Sequence, residues 1–263
     1  MQELYKPQPG FIHKIDARVK LVFSLAFLVF LNITPDRAWP AYILFLTMVF
    51  SIALISRLGV GFVLKRSIFF VPFVLAALPL VFTGSHALVP ANLPWGGQLS
   101  YNPQGIQRFI SIAIKSWVSV QAAVLLAATT RFPDLMTSLQ QLKVPGVIVA
   151  TITLMWRYLF VISEEVTRML RARSSRSAII PGSRHSGGTL LWRARVTGGM
   201  AGSLFLRAIE RSERVYAAML SRGYTGEIPV SQSIPLSAED RQVLLFGIPA
   251  LVFLCLLGFI TGG

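Results

Sequence analysis

Five apolar runs constrain what this chain can fold into. They are Val19–Ile33, Trp39–Ile55, Ser67–Gly84, Phe109–Thr130 and Val243–Ile260. In a helix, runs of this length rise roughly 22 to 33 Å, which compares with a hydrocarbon core of about 30 Å in a bilayer. The sequence therefore predicts an all-α integral membrane protein with about five transmembrane helices.

The composition supports the same class. Hydrophobic residues make up 54% of the 263 residues, charged residues make up 14%, and the mean hydropathy is +0.62. An ordinary soluble domain carries about a quarter charged residues. The net charge of +14 would suit DNA binding, but a chain this apolar is not a soluble DNA-binding protein, and we expect no nucleic-acid partner. The single cysteine, Cys255, lies in an apolar run, which excludes a disulfide framework and a thiolate zinc site.

Basic residues set the expected orientation, because cytoplasmic loops are enriched in Lys and Arg. They cluster in the N-terminal segment and in the second linker, as Lys6, Lys14, Arg18, Lys20, Arg57, Lys65 and Arg66. The third linker, Ser85 to Gln107, carries no charge. We therefore expect four spans in residues 1–130 with the N-terminus in the cytoplasm and this linker outside. Residues 131–242 form a cytoplasmic or interfacial helical region, and residues 243–263 form a last transmembrane helix.

An arginine-rich stretch follows the fourth run. From Arg157 to Arg222 the chain carries twelve arginines, no lysine and four glutamates. Gly146–Ser163 is apolar enough for a further span, but a single crossing there would place the arginine-rich stretch outside the cell. We therefore predict that Gly146–Ser163 is a helix lying in or along the cytoplasmic interface.

Two long, crossed amphipathic helices are predicted in residues 131–242. Their seams have gaps of 4, 3, 4 and 3, as expected for a face that rests on another helix or an apolar surface. The seams are Met155, Leu159, Ile162, Val166 and Met169 in the first helix, and Phe205, Ile209, Ser212, Tyr216 and Met219 in the second. Glu164–Arg168 and Glu210–Arg214 have the i,i+4 spacing of supporting ion pairs. Gly198 and Gly202 form a GxxxG spacing, which predicts close packing of helix backbones.

Each predicted helix ends in an arginine between two small residues. The tripeptides are Ala172-Arg173-Ser174 and Ser221-Arg222-Gly223, and Gly223 is the expected end of the second helix. An arginine on a last turn offers five fixed donors to carboxylates and exposed carbonyls of a partner. The alternative is that these arginines only favour the helix dipole and anionic lipid.

Two segments carry a resemblance to a known family. Ser212–Gly226 resembles the cobalt branch, CbiQ, of the T components of energy-coupling factor (ECF) transporters, and His13–Leu21 resembles the N-terminal signature of that family. The first tripeptide departs from the family pattern, since Ser174 stands where glycine is common. The likeness covers nearly the whole chain: the early spans, the long cytoplasmic helices and the late span.

The resemblance implies a non-enzymatic membrane scaffold of an ATP-driven importer. In that family the arginine motifs dock into two cytoplasmic ATP-binding-cassette ATPase subunits and transmit their closure to a substrate-binding membrane subunit. It implies that Ala172, Arg173, Ser174, Ser221, Arg222 and Gly223 couple this chain to the ATPases. It also implies a multi-pass protein of the bacterial cell membrane, with cobalt as the favoured substrate and nickel or a vitamin as alternatives.

Several sites that other functions need are missing from the sequence. There is no G-x-x-x-x-G-K-[ST] motif to hold ATP phosphates, and His13, His86 and His185 are scattered, so we expect neither catalysis, nor a cofactor, nor a metal site in this chain. A stand-alone secondary transporter or channel would need polar groups within its spans, where only Lys115 and Arg157 are candidates. An interfacial enzyme would need clustered catalytic groups, and the nearest candidate, Glu164-Glu165, better suits ion pairing.

Overall fold

The fold is given by a computed structural model, which describes residues 10–67, 71–81, 89–92, 98–101, 103–176, 189–226 and 235–262. Its helices are α1 Phe11–Lys14, α2 Ala17–Ile33, α3 Trp39–Ile55, α4 Val60–Ser67, α5 Val71–Ala76, α6 Pro103–Thr129, α7 Phe132–Gln141, α8 Gly146–Arg176, α9 Leu190–Ser221 and α10 Ala238–Gly262. The described residues divide into two compact units. One lies within 139–232, and the other combines residues within 2–138 and 233–263.

The structure confirms an all-α integral membrane protein. Three stretches, Gly105–Thr129, Gly146–Arg176 and Ala238–Gly262, are long and apolar enough to cross a membrane, and Trp39–Ile55 is a shorter apolar helix. Helix α3 has the bounds that the sequence predicted, and α2 begins two residues before its predicted run. Because α8 is among the three, its length and composition allow a span, and its placement along the interface stays a prediction.

The third apolar run, Ser67–Gly84, is not one continuous helix. Helix α5 ends at Ala76, and a 3₁₀ turn follows at Leu78–Val81. Pro79 explains the change, because a proline has no N–H to donate to the carbonyl four residues earlier and its ring clashes with that carbonyl. Residues 68–70 and 82–84 of the run lie outside the described residues.

A small hairpin lies in the uncharged linker between the third and fourth runs. Strand β1 (Val89–Asn92) pairs antiparallel with β2 (Gln98–Tyr101), with Val89 opposite Tyr101 and Asn92 opposite Gln98. The sequence predicted only a loop here.

The core of the larger unit lies between α2, α3, α6 and α10. Each contributes a side chain that is almost fully buried: Leu31, Phe45, Val118 and Leu251. The rings of Phe27 and Phe45 meet edge to face, with centroids 5.4 Å apart, the arrangement that aromatic pairs prefer. Burial of large apolar side chains therefore packs α2, α3, α6 and α10 around one shared core.

Helices α2 and α10 run parallel and pack closely through glycine. A Cβ added at Gly247 would lie 2.7 Å from the Phe23 ring, and one at Gly258 would lie 2.6 Å from Cγ2 of Thr34. Asp240 and Asp16, at the starts of the two helices, are also in contact. In each of these three contacts, the residue of α10 lies 224 positions after its partner in or next to α2. A constant separation of this kind requires that the two helices run in the same direction.

Lys115, which the sequence indicates as a candidate functional residue within an apolar run, forms an ion pair with Asp36. Its Nζ lies 3.3 Å from Oδ1 of Asp36, in the turn between α2 and α3. The Ser111 hydroxyl donates to the Asp36 carbonyl, and Arg37 donates from Nε to Oε1 of Gln107 (3.3 Å). Lys115 and its neighbours on α6 therefore hold this turn against the helix.

We expect Gly258→Val to destabilise the larger unit by about 1–3 kcal/mol, because the added methyl groups would overlap Thr34 and overpack the α2–α10 contact. Gly61→Val is the matched control, since nothing lies within 4 Å of a Cβ at that position of α4. The measurement is the temperature at which buried Cys255, the single cysteine, becomes reactive to a thiol reagent in detergent. Equal shifts for the two variants would contradict close packing at Gly258.

Candidate functional site

Two long helices form most of the smaller unit, as the sequence predicted. Helix α8 has 31 residues and α9 has 32, which gives lengths of about 46 and 48 Å. Helix α9 begins after Thr189, whose side-chain oxygen accepts a hydrogen bond from the Trp192 N–H and so caps the helix. Helices of this length are stiff elements on which side chains near the ends keep fixed positions.

An ion-pair cluster joins the two helices. Glu165 of α8 accepts from Nη1 of Arg207 (3.1 Å) through one oxygen and from Nη2 of Arg211 (3.0 Å) through the other. The Glu165 side chain is only 15% exposed, so much of the carboxylate surface is covered by these guanidinium groups. This agrees with the ion-pairing interpretation of Glu164-Glu165.

The two predicted pairs within single helices are not observed. Neither Glu164–Arg168 nor Glu210–Arg214 is among the salt bridges between described residues. The glutamate that forms ion pairs is Glu165, one position after Glu164, because it faces the other helix and contacts two arginines there. The i,i+4 spacing alone could not show this, because it carries no information on the neighbouring helix.

A second polar contact lies nearer the end of α8. Arg173 donates from Nη1 to the Thr197 hydroxyl (2.9 Å), and that hydroxyl donates to the Arg193 carbonyl (2.7 Å). Since Glu165 meets Arg207 and Arg211 while Arg173 meets Thr197, the helices run antiparallel. A cavity of about 410 Å³ beside Arg173 is lined by Met169, Ala172, Arg176, Trp192, Val196 and Met200.

Arg222 has a different local structure. It occupies the last, partly helical position of α9, and Gly223 follows with a φ of +80°. The Tyr224 N–H donates to the Met219 carbonyl (3.1 Å) and the Gly223 N–H to the Leu220 carbonyl (3.0 Å). These two bonds define a Schellman end, in which glycine takes the left-handed conformation that other residues adopt at a cost. The prediction that the helix stops at Gly223 is confirmed.

The guanidinium of Arg222 is therefore held at a fixed helix end and is open to a partner. Arg222 is exposed, and its side chain forms no hydrogen bond or ion pair with the described part of the chain. Ser221 and Gly223 on either side are exposed and small, so they leave space around it. A planar group with five donors in this position can bind a carboxylate or several carbonyl oxygens of another protein.

The two tripeptides are consequently not matching helix ends. Helix α8 continues through Ser174 to Arg176, whereas α9 stops at Ser221. Ser174 stands where the second tripeptide has glycine, and a serine does not favour the left-handed conformation that ends α9. Arg173 is thus a residue of the last helical turn that is already bonded to Thr197, while the Arg222 side chain has no such bond to any residue that the structure describes.

The predicted apolar seam of α9 does not face α8. Phe205, Ile209 and Tyr216 are 66%, 41% and 57% exposed. The less exposed positions lie mainly on another stripe, formed by Val196, Met200, Leu204, Ala208, Arg211, Val215 and Met219, of which only Met219 belongs to the predicted seam. Apolar periodicity does not identify this stripe, because it includes the charged Arg211. The predicted seam remains an exposed apolar face.

The GxxxG pair lies on an exposed part of α9. A Cβ added at Gly198 or at Gly202 would meet no atom within 4 Å. No described residue of this chain packs there, so the predicted role of Gly198 and Gly202 in helix packing stays a prediction.

The described residues contain no group of side chains suited to binding a metal ion. Nowhere in the parts of the chain that the structure describes do three His, Cys, Asp or Glu side chains form a group that could hold a metal ion. His86 and His185 lie outside those parts. Arg157, the other candidate within an apolar stretch, is exposed on α8.

Comparison with known proteins identifies the family. The family model CbiQ, described as cobalt transport protein, matches residues 8–233, which is most of the chain and includes both arginine tripeptides. The chain belongs to the CbiQ cobalt transport protein family. The resemblance seen in the sequence is thereby confirmed, and the protein is a multi-pass membrane component of a transporter family.

Individual relatives agree with the family. The energy-coupling factor transporter transmembrane protein EcfT of Brevibacillus brevis is 27% identical, over 85% of this chain and 84% of its own length. An uncharacterized protein of Methanocaldococcus jannaschii is 28% identical, over 94% of this chain and 82% of its own. The cobalt transport protein CbiQ of Rhodobacter capsulatus is 27% identical, over 62% of this chain and 64% of its own.

We expect Glu165→Ala to loosen the contact between α8 and α9, because the two guanidinium groups would then lose their shared carboxylate. Each partly exposed ion pair contributes about 0.2–1 kcal/mol. Spin labels at Thr167→Cys and Ser212→Cys, in a Cys255→Ala background, should show a broader distance distribution in this variant. Glu164→Ala is the matched control, since Glu164 is exposed on the same turn. An unchanged distribution in Glu165→Ala would show that the cluster does not hold the helices together.

Proposed function

We propose that this chain is the transmembrane coupling subunit, or T component, of an ATP-driven ECF-type importer. It hydrolyses no ATP itself, and it transmits a conformational change of two cytoplasmic ATPase subunits to a substrate-binding membrane subunit. The observation that carries this proposal is the open guanidinium of Arg222 at a fixed helix end, in a chain of the CbiQ family. The names of the relatives from Brevibacillus brevis and Rhodobacter capsulatus support the same role.

The geometry of the helix ends suits docking to an ATPase. Arginine forms charge-assisted, planar hydrogen bonds that fix orientation as well as supply affinity. Arg222 presents such a group from a helix about 48 Å long, so motion of a bound partner would move the whole helix instead of bending a loop. The sequence contains no phosphate-binding motif, which fits ATP hydrolysis by the partners.

We propose cobalt ion as the transported substrate. The support is the description of the family and the name of the Rhodobacter capsulatus relative. We assign the binding of the ion to the substrate-binding membrane subunit. Nickel is the closest alternative, because the coupling role of this chain does not depend on which ion the partner selects.

We further propose that the protein lies in the bacterial cell membrane with its N-terminus in the cytoplasm. The larger unit supports one element of this topology: α2 and α10 begin side by side at one end of the bundle, and α6 ends there too, because Lys20 of α2 contacts the Thr129 carbonyl. The starts of α2 and α10 and the end of α6 are therefore on one side of the larger unit. The basic residues of the N-terminal segment favour the cytoplasm for that side.

Arg222→Ala should strongly reduce cobalt uptake and ATPase recruitment, since truncating a buried, paired arginine of an interface costs about 2–5 kcal/mol. Arg173→Ala should do the same, and the double variant should abolish uptake. Arg→Lys should restore function only in part, because an ammonium group keeps the charge and loses the planar fork. Uptake of radioactive cobalt by cells and copurification of the ATPases are the two measurements.

Two controls separate docking from other roles of arginine. Arg195→Ala removes an exposed arginine of α9 that lies outside both tripeptides. Thr197→Val removes the hydroxyl that Arg173 contacts and keeps the arginine. If Arg222→Ala behaves like Arg195→Ala, with normal membrane levels and uptake, these arginines serve only the helix dipole and anionic lipid.

A further inference from the structure

The N-terminal segment His13–Leu21, which carries part of the family resemblance, contacts two helix ends of the larger unit, the end of α6 and the start of α10. These two ends are called the junctions, because the chain leaves the larger unit within α7, which follows α6, and has returned to it where α10 begins. The first turn of α2, with the residues just before it, contacts the end of α6 and the start of α10. These contacts connect points that lie more than 100 positions apart in the sequence.

The first junction is bonded by Lys20. Its Nζ donates to the Thr129 carbonyl (3.3 Å) and to the His13 carbonyl (3.4 Å). Thr129 is the last residue of α6, where helix carbonyls lack partners within the helix. A cation at this position also interacts favourably with the negative end of the helix dipole. Lys20 therefore ties the end of α6 to the start of α2.

The second junction is bonded by Asp240, which is buried with 7% of its surface exposed. One carboxylate oxygen accepts from the Asp16 N–H (3.0 Å). The other accepts from the Ser237 hydroxyl (2.8 Å) and the Ser237 N–H (3.3 Å), and the Ser237 oxygen accepts from the Asp240 N–H (3.2 Å). This reciprocal pair is a capping box in which aspartate replaces the usual glutamate.

One carboxylate thus satisfies donors at the N-termini of two helices. Asp16 is the N-cap of α2, and its own side chain accepts from the Arg18 N–H (2.9 Å). Asp16, Asp240 and Asp134 of α7 all attract the Lys20 ammonium electrostatically. Asp16 and Lys20 of the α2 start bond to Asp240 and Thr129, and these four residues together are called the stem clasp.

We propose that the stem clasp positions the two junctions so that movement of residues 139–232 reaches α6 and α10 together. Lys20 and Asp240 are then positioning residues for energy coupling, and the inference rests on the proposed function. Without the clasp, the two junctions would lose the hydrogen bonds that hold them at fixed positions relative to each other. ATP would still be hydrolysed by docked ATPases, but less of the movement would reach the membrane helices.

The test is the amount of cobalt imported per ATP hydrolysed, in vesicles that hold the complex copurified with this chain. Lys20→Met removes the donor, and Asp240→Ala removes the acceptor. Each should lower this ratio several-fold, because Lys20→Met removes both hydrogen bonds that the ammonium donates and Asp240→Ala removes every hydrogen bond that the carboxylate accepts. Asp240→Asn should lower it less, because the amide oxygen can still accept from the Asp16 N–H.

Matched controls are Lys65→Met and Glu239→Gln, which change exposed residues of the same types on α4 and α10. They should keep the ratio of the natural protein. If the stem-clasp variants keep it as well, the positioning role is wrong while the proposed function stands. If the natural protein brings no ATPase with it, the proposed function fails, and the coupling role of the clasp fails with it.

A disulfide in place of the hydrogen bond between Asp16 and Asp240 distinguishes a role of the clasp in positioning the helices from a role in folding. Asp16→Cys with Asp240→Cys, in a Cys255→Ala background, removes the carboxylate of Asp240 and allows a disulfide between the same two helix ends. We expect this variant to import poorly when reduced and to regain import per ATP when oxidised. Failure of the oxidised form to recover would overturn the proposal, as would loss of assembly in every stem-clasp variant.

Discussion

The close parallel packing of α10 on α2 is the contact on which the rest of the larger unit depends. It joins the last helix to the first long helix, across a separation of 224 positions. Gly247 and Gly258 make it possible, because side chains there would overlap Phe23 and Thr34. With α10 packed on α2, the start of α10 lies beside the start of α2, and the end of α6 lies there as well.

The arginines near the ends of α8 and α9 have different surroundings. Glycine at position 223 lets α9 stop in a Schellman end and leaves the Arg222 guanidinium open. Serine at position 174 lets α8 continue, and Arg173 is held by Thr197. The two similar tripeptides thus hold arginines in different states. Arg222 can bind a partner directly, whereas Arg173 must first break its hydrogen bond to Thr197. In the proposed complex, the two docking contacts would differ in strength for this reason.

Much of this fold could be predicted from the sequence where a signal is local. Apolar runs gave the bounds of α3 closely, and Gly223 marked the end of α9, because burial in lipid and left-handed backbone conformation act on a few consecutive residues. Signals that depend on distant partners were missed. In the sequence, Asp240 is an ordinary polar residue before an apolar run. Only the structure shows that its carboxylate accepts a hydrogen bond from the Asp16 N–H. The stripe of α9 that faces α8 was missed because it includes Arg211, whose charge is neutralised by Glu165.

Affinity purification of the tagged chain from its own membranes tests directly whether this chain couples separate ATPases to transport. Two ATP-binding-cassette ATPase subunits and a further membrane protein should copurify with it, and ATP hydrolysis should depend on those ATPases. The chain stripped of its partners should hydrolyse no ATP and move no cobalt. Cobalt transport or ATP hydrolysis by the rigorously purified chain alone would contradict this coupling role.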